Sequence, residues 1–156
     1  MTDRSSRLYI PALGGIYETW SALAGFLLRA GLGLILLIHG LQKFFAWVGG
    51  AGMERFIGLL EKFGYPLATL LGYYIACLET FGGILLIIGL WTRPVAFLMV
   101  IFMIFGVHYT ASTGAHWFIW FRGGLEFALL IGLVSFYLMI KGAGPWSVDK
   151  LQAKEF

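Results

Sequence analysis

Residues 66–90 read PLATLLGYYIACLETFGGILLIIGL. The stretch is long enough to cross a bilayer as one helix, which takes about 20 apolar residues. It opens on Pro66, a residue suited to the first turn, where a missing N–H costs nothing. One acidic side chain interrupts it, in Glu79-Thr80-Phe81-Gly82-Gly83. A carboxylate at that depth costs roughly 2.5–3.5 kcal/mol on insertion scales, so it must have a partner or a purpose. Gly72, Ala76, Gly82 and Gly83 surround it on its side of the helix. Small residues admit a neighbouring backbone, so Glu79 belongs at a helix–helix contact and away from lipid.

Working outward, three more apolar segments flank this one: Trp20 to Phe45, a run after Arg93-Pro94 to Tyr109, and Gly123 to Ile140. Of the 156 residues, 60% are hydrophobic and 12% charged. A soluble domain carries about 25% charged residues. The expectation is an all-α membrane protein, a four-transmembrane-helix bundle over residues 20–141, with an N-terminal segment (1–19) and a C-terminal tail (142–156). Residues 1–19 lack the apolar core and cleavage site of a secretory signal, so the first span is expected to be retained. Gly142-Ala143-Gly144-Pro145 should end the fourth helix sharply.

Between the first two spans, Met53, Phe56, Ile57, Leu60 and Phe63 fall on one helical face, with Glu54, Arg55, Glu61 and Lys62 largely on the other. This pattern predicts a short amphipathic helix at the membrane interface; the alternative is a loop helix packed on the bundle. An even number of spans puts both termini on one side. Arg4, Arg7, Arg93, Lys141, Lys150 and Lys154 lie there, against Lys43, Arg55, Lys62 and Arg122 opposite. The positive-inside rule then favours cytoplasmic termini.

The first span carries a polar stripe. Arg29, His39 and Lys43 fall within about 80° of one another on a helical wheel. Counting from the apparent helix ends at ~1.5 Å per residue, Arg29 and Glu79 differ in depth by only ~3 Å, which predicts an Arg29–Glu79 ion pair. By the same count His39, His108 and Glu126 sit ~6–10 Å from the opposite helix ends. Three helices thus bring two imidazoles and a carboxylate to one depth, with Lys43 and Arg122 just above. His39, His108 and Glu126 become the candidates for catalysis or proton transfer, and Arg29 with Glu79 a structural ion pair. Lys43 and Arg122 are placed to stabilise an anion or a reduced ring. Such groups can also serve only as interhelical hydrogen bonds.

Other classes find little support. The net charge of +3 is spread along the chain without a basic cluster, so no nucleic-acid partner is expected. Cys77 is the single cysteine, which excludes an intramolecular disulfide. No ligand spacing supports a metal site, and no covalent cofactor or haem motif is visible.

Three blocks resemble the DoxX family: Arg29-Ala30-Gly31-Leu32-Gly33 leading to His39-Gly40-Leu41-Gln42-Lys43-Phe44; Glu79 to Gly83 with Gly89-Leu90-Trp91-Thr92-Arg93; and Glu126 with Gly142-Ala143-Gly144-Pro145-Trp146-Ser147-Val148-Asp149. Pro145-Trp146 departs from the family pattern, which has a basic or small residue followed by an aromatic there. The resemblance implies a multi-pass protein of a bacterial-type inner membrane. It also implies Arg29, His39, Lys43, Glu79 and Glu126 as family-pattern positions; His108 rests on the depth count alone. Some relatives form a subunit of thiosulfate:quinone oxidoreductase, and others are linked to thiol and oxidative-stress complexes. The leading expectation is therefore a lipid-embedded subunit of a redox or electron-transport complex, or a homo-oligomer, that binds quinone between its helices. A non-catalytic accessory subunit of a larger complex is the alternative, and a small proton or solute conductor the third.

Overall fold

The computed structural model describes residues 8–112 and 124–152, which are helical with no strand among them. Helix α1 spans Gly14–Phe45, α2 Gly52–Lys62, α3 Ala68–Ile88, α4 Thr92–Ser112, α5 Glu126–Lys141 and α6 Val148–Leu151. Short 3-10 turns at Pro11–Leu13 and Trp47–Gly49 precede α1 and α2. Helix α1 starts earlier than its apolar run, because Pro11 sits at the head of the turn that feeds it.

Helices α1 and α3 pack antiparallel along a seam of glycines. A Cβ on Gly83 would lie 2.7 Å from the Gly33 carbonyl oxygen and 2.7 Å from the Leu37 amide nitrogen. A Cβ on Gly33 would meet the Gly83 carbonyl oxygen at 2.7 Å in turn. The two backbones touch, as small-residue membrane interfaces allow. Helices α4 and α5 form a second antiparallel pair, with Gly106 against Ala128 and Gly132 against Met103. Leu36, Leu86, Ala96, Met99, Ile131 and Leu138 anchor the core where the pairs meet.

Helices α1 (with its leading turn), α3 and α4 are long and apolar enough to cross a membrane. Helix α5 has 16 residues, short of the roughly 20 a span takes. Leu34, Leu70, Phe81, Ile104, Leu130 and Phe136 lie exposed on the outer faces. So much apolar surface belongs against lipid.

The amphipathic segment forms α2 as the sequence predicts, and its apolar side faces the bundle. Leu60 is buried, and Ile57 and Leu60 close over Gly72 of α3. Phe63 meets Tyr109 of α4 edge-on, with ring centroids 4.4 Å apart.

Helix α3 ends in a Schellman motif. Gly89 adopts φ +71°, the Gly89 amide donates to the Leu86 carbonyl, and the Leu90 amide donates to the Leu85 carbonyl. Trp91 follows in the left-handed region, and Asp149 of α6 secures it. The Asp149 carboxylate accepts from the Trp91 amide at 2.7 Å and the Thr92 amide at 2.9 Å, capping α4. The Asp149 amide donates to the Gly89 carbonyl at 2.8 Å. The C-terminal block is thereby stitched to the α3–α4 turn.

Two outcomes follow for thermal unfolding in detergent. Gly83→Val forces the glycine seam apart and should destabilise the protein by about 1–3 kcal/mol. Asp149→Ala removes the carboxylate that accepts from the Trp91 and Thr92 amides and should cost about 1–2 kcal/mol. A melting midpoint unchanged in either variant contradicts the packing described.

Candidate functional site

The polar groups separate to the two ends of the bundle. At the end shared by the described terminal helices, Arg29 is fully buried. Its Nε donates to the Ala143 carbonyl at 3.1 Å, and one terminal nitrogen donates to the Ile87 carbonyl at 3.0 Å and to the Leu86 carbonyl. The other donates to the Trp146 carbonyl at 2.5 Å. The guanidinium also lies over the Phe26 ring, 5.6 Å from its centroid. Helix C-termini leave carbonyls without intrahelical partners, and a forked cation with five donors suits them. Asp149 is the carboxylate whose field acts on it.

The expected Arg29–Glu79 ion pair does not form. Glu79 pairs with Lys43, whose Nζ lies 2.5 Å from Glu79 Oε2. The reason is register. The depth count took the start of the first apolar run as level with the end of the second. The glycine seam instead sets Arg29 against the last turn of α3, so residues 14–28 run on beyond it. Glu79 lies roughly 10 Å further along α3. Lys43, about four helical turns after Arg29 on the same stripe, reaches it there.

The opposite end holds the remaining candidates. Lys43 and Glu79 are largely buried, with side chains 15% and 6% exposed. Lys43 Nζ also lies 3.5 Å from the His39 carbonyl oxygen and 4.8 Å from the centre of the Phe56 ring of α2. His39 is half-buried, its imidazole tilted against Phe127 with ring centroids 5.7 Å apart. Between α1 and α2 opens a cavity of about 370 Å³. His39, Gln42 and Lys43 form one wall, and Arg55, Phe56 and Leu59 the other.

Glu126 is the first residue of α5, next to the Phe127 that touches His39. The α4–α5 register puts His108 near the level of Glu126, but the His108 side chain is exposed. His39 therefore addresses the cavity, and His108 is not among its lining residues. Arg122 falls outside the described residues. Sequence reasoning passed over Phe56 and Arg55 as site residues, reading them only as parts of an amphipathic helix. It also passed over Asp149 as the cap of α4: Ser147 carries the local capping signal, for α6, and a cap supplied from 57 residues away has none.

Arg29 and the C-terminal block holding it, the glycine seam, and the Lys43–Glu79 pair thus join the sequence blocks singled out above into one packing scheme. The DoxX family model matches residues 24–117. The chain belongs to the DoxX family. A Bacillus subtilis protein named "Putative oxidoreductase CatD" is 36% identical over 123 residues, covering 79% of this chain and 82% of that protein. An uncharacterized Haemophilus influenzae protein is 30% identical over 127 residues, covering 78% of this chain and 85% of its own. The Mycobacterium tuberculosis "Uncharacterized membrane protein Rv3486" is 28% identical over 137 residues, covering 81% and 80%. No solved structure matches this DoxX chain.

The Lys43–Glu79 contact is open to a double-mutant cycle. Lys43→Met or Glu79→Gln alone strands a buried group and should destabilise the protein by about 3–5 kcal/mol. The double variant should recover much of that loss. Strictly additive losses in thermal unfolding would show that the two side chains do not interact.

Proposed function

We propose that this DoxX protein is the membrane subunit of a redox or electron-transport complex and binds a quinone headgroup in the cavity between α1 and α2. The observation that carries the reading is the lining of that cavity. An imidazole and an ammonium on one wall face an aromatic ring and an aliphatic side chain on the other, His39 and Lys43 against Phe56 and Leu59. Ligand sites of this kind are mostly apolar, with a few placed polar groups. The volume of about 370 Å³ suits a single substituted ring. The Bacillus subtilis relative's name adds support for oxidoreductase association.

A bound quinone would supply a two-electron, two-proton acceptor. His39 can donate a hydrogen bond to a ring carbonyl from the imidazole that borders the cavity. Lys43 supplies positive charge beside the same carbonyl, and Glu79 holds that ammonium in place. Glu126 at the head of α5, with His108 near its level on α4, extends the polar groups outward for proton exchange. The single cysteine forms no redox pair within the chain, so electrons would arrive from a partner or a soluble donor.

The topology in this reading has four spans, with α5 in the fourth. Helix α2 lies at the membrane interface, and the termini face the cytoplasm of a bacterial inner membrane. The slight excess of Lys and Arg on the terminal side supports that orientation.

Titrating the detergent-purified protein with a short-tailed benzoquinone and reading tryptophan quenching tests the site. His39→Ala should weaken binding about two- to tenfold, the size of one lost hydrogen bond, while membrane insertion is retained. Equal affinity in wild type and variant would remove quinone from this cavity. The same purification decides the accessory reading, which predicts a stoichiometric large partner and no quinone binding by the DoxX chain.

A further inference from the structure

The Lys43 ammonium is enclosed on three sides. Glu79 Oε2 accepts from it at 2.5 Å, the His39 carbonyl oxygen lies at 3.5 Å, and the Phe56 ring centre lies at 4.8 Å. An ammonium has three N–H donors. Two are directed to oxygens of α3 and α1, and the third side is covered by the face of an aromatic ring. Lys43 and Phe56 both line the α1–α2 cavity, so Phe56 stands on the side from which a ligand oxygen would approach.

Phe56 also belongs to the element with the most unusual attachments. Ala46 at φ +52° and Val48 at φ +51° precede α2, and Leu67 at φ +54° follows it. Left-handed geometry is costly for residues with a Cβ, and most so for β-branched Val48. Gly49, Gly52 and Gly64 add further positive φ values in the same two connections. Both ends of α2 therefore join the bundle through backbone held away from its preferred basins, the kind of segment that absorbs hinge motion. On the α3 side α2 is seated through Ile57 and Leu60 over Gly72, a contact that leaves Phe56 on the cavity side.

We propose that Phe56 is a retractable plug on the Lys43 ammonium: α2 tilts on its two strained connections, and a carbonyl oxygen of the incoming ring takes the place of the Phe56 face. The ligand's identity rests on the quinone reading above; the covering of Lys43 by Phe56 does not. With no ligand present the plug covers the side of the cation that the Glu79 and His39 oxygens leave open. It also makes binding a competition. A ligand gains access to Lys43 only if its oxygen interacts with the ammonium more strongly than the ring does, which selects for hydrogen-bond acceptors over plain hydrocarbon chains.

Acylation of Lys43 by dilute acetic anhydride, followed by mass spectrometry on the full chain in detergent, reads the cover directly. Phe56→Ala should label roughly two- to thirtyfold faster than wild type, the range a cation–π contact spans. Phe56→Leu keeps bulk without the π face and should fall between them, and Phe56→Tyr should match wild type. A short-tailed benzoquinone should bind Phe56→Ala more tightly by a similar factor and slow its labelling. Equal labelling in Phe56→Ala and wild type, with helix content retained, overturns the plug. If Phe56→Ala does not fold, equal labelling in Phe56→Leu and Phe56→Tyr overturns it instead. Faster labelling that quinone fails to slow leaves Phe56 as the cover of Lys43 and removes the quinone reading.

Discussion

The buried guanidinium of Arg29 is the constraint from which the remaining geometry follows. A fully desolvated cation must be surrounded by acceptors. Arg29 finds them in the carbonyls of Leu86 and Ile87 at the end of α3 and of Ala143 and Trp146 after α5. One side chain from α1 thereby ties down the end of a second helix and the C-terminal loop. Gly89 belongs to this arrangement, since a Cβ there would lie 2.5 Å from both an Arg29 nitrogen and the Ser147 Cβ. Asp149 completes it by capping α4 from the other side of the turn.

Once Arg29 is docked, the pairing of α1 and α3 has one register. Gly33 and Gly83 come into backbone contact, Thr80 closes on Gly40, and Lys43 arrives opposite Glu79. The costly acid in the middle of α3 is therefore satisfied by a cation near the far end of α1. The bundle has two unlike ends. The terminal end is locked by a dense set of hydrogen bonds to backbone. The α2 end carries left-handed connections, a cavity and a charge pair beside it, and it is the end on which the proposed ligand site rests.

Much of the fold is legible along the chain. The apolar runs, the break at Gly142 and the amphipathic pattern from Met53 to Phe63 each have a local cause, and the helices lie where those causes put them. The fourth segment is the partial exception, because the described helix α5 begins only at Glu126 and has 16 residues. Of the residues read from the sequence, His39 and Lys43 border the cavity, and the partners of the charged ones were not legible. Arg29 and Lys43 share one stripe of α1, and a depth count from the apparent helix ends chose Arg29 for Glu79 where the structure pairs it with Lys43. Phe56 reads as ordinary apolar face until α2 is seen folded over α1, with its ring against an ammonium.

Local chemistry alone determined that this is a helical membrane protein, that Glu79 avoids lipid and that Arg29, His39 and Lys43 share a face, because hydropathy and helical period act over neighbouring residues. Only the tertiary structure decided which cation meets Glu79, that His108 stays exposed while His39 borders a cavity, and that Asp149 caps α4. Those outcomes depend on the axial register between helices. That register is set by a backbone contact between glycines distant in sequence and by the carbonyls a buried arginine can reach, neither of which has a local signature.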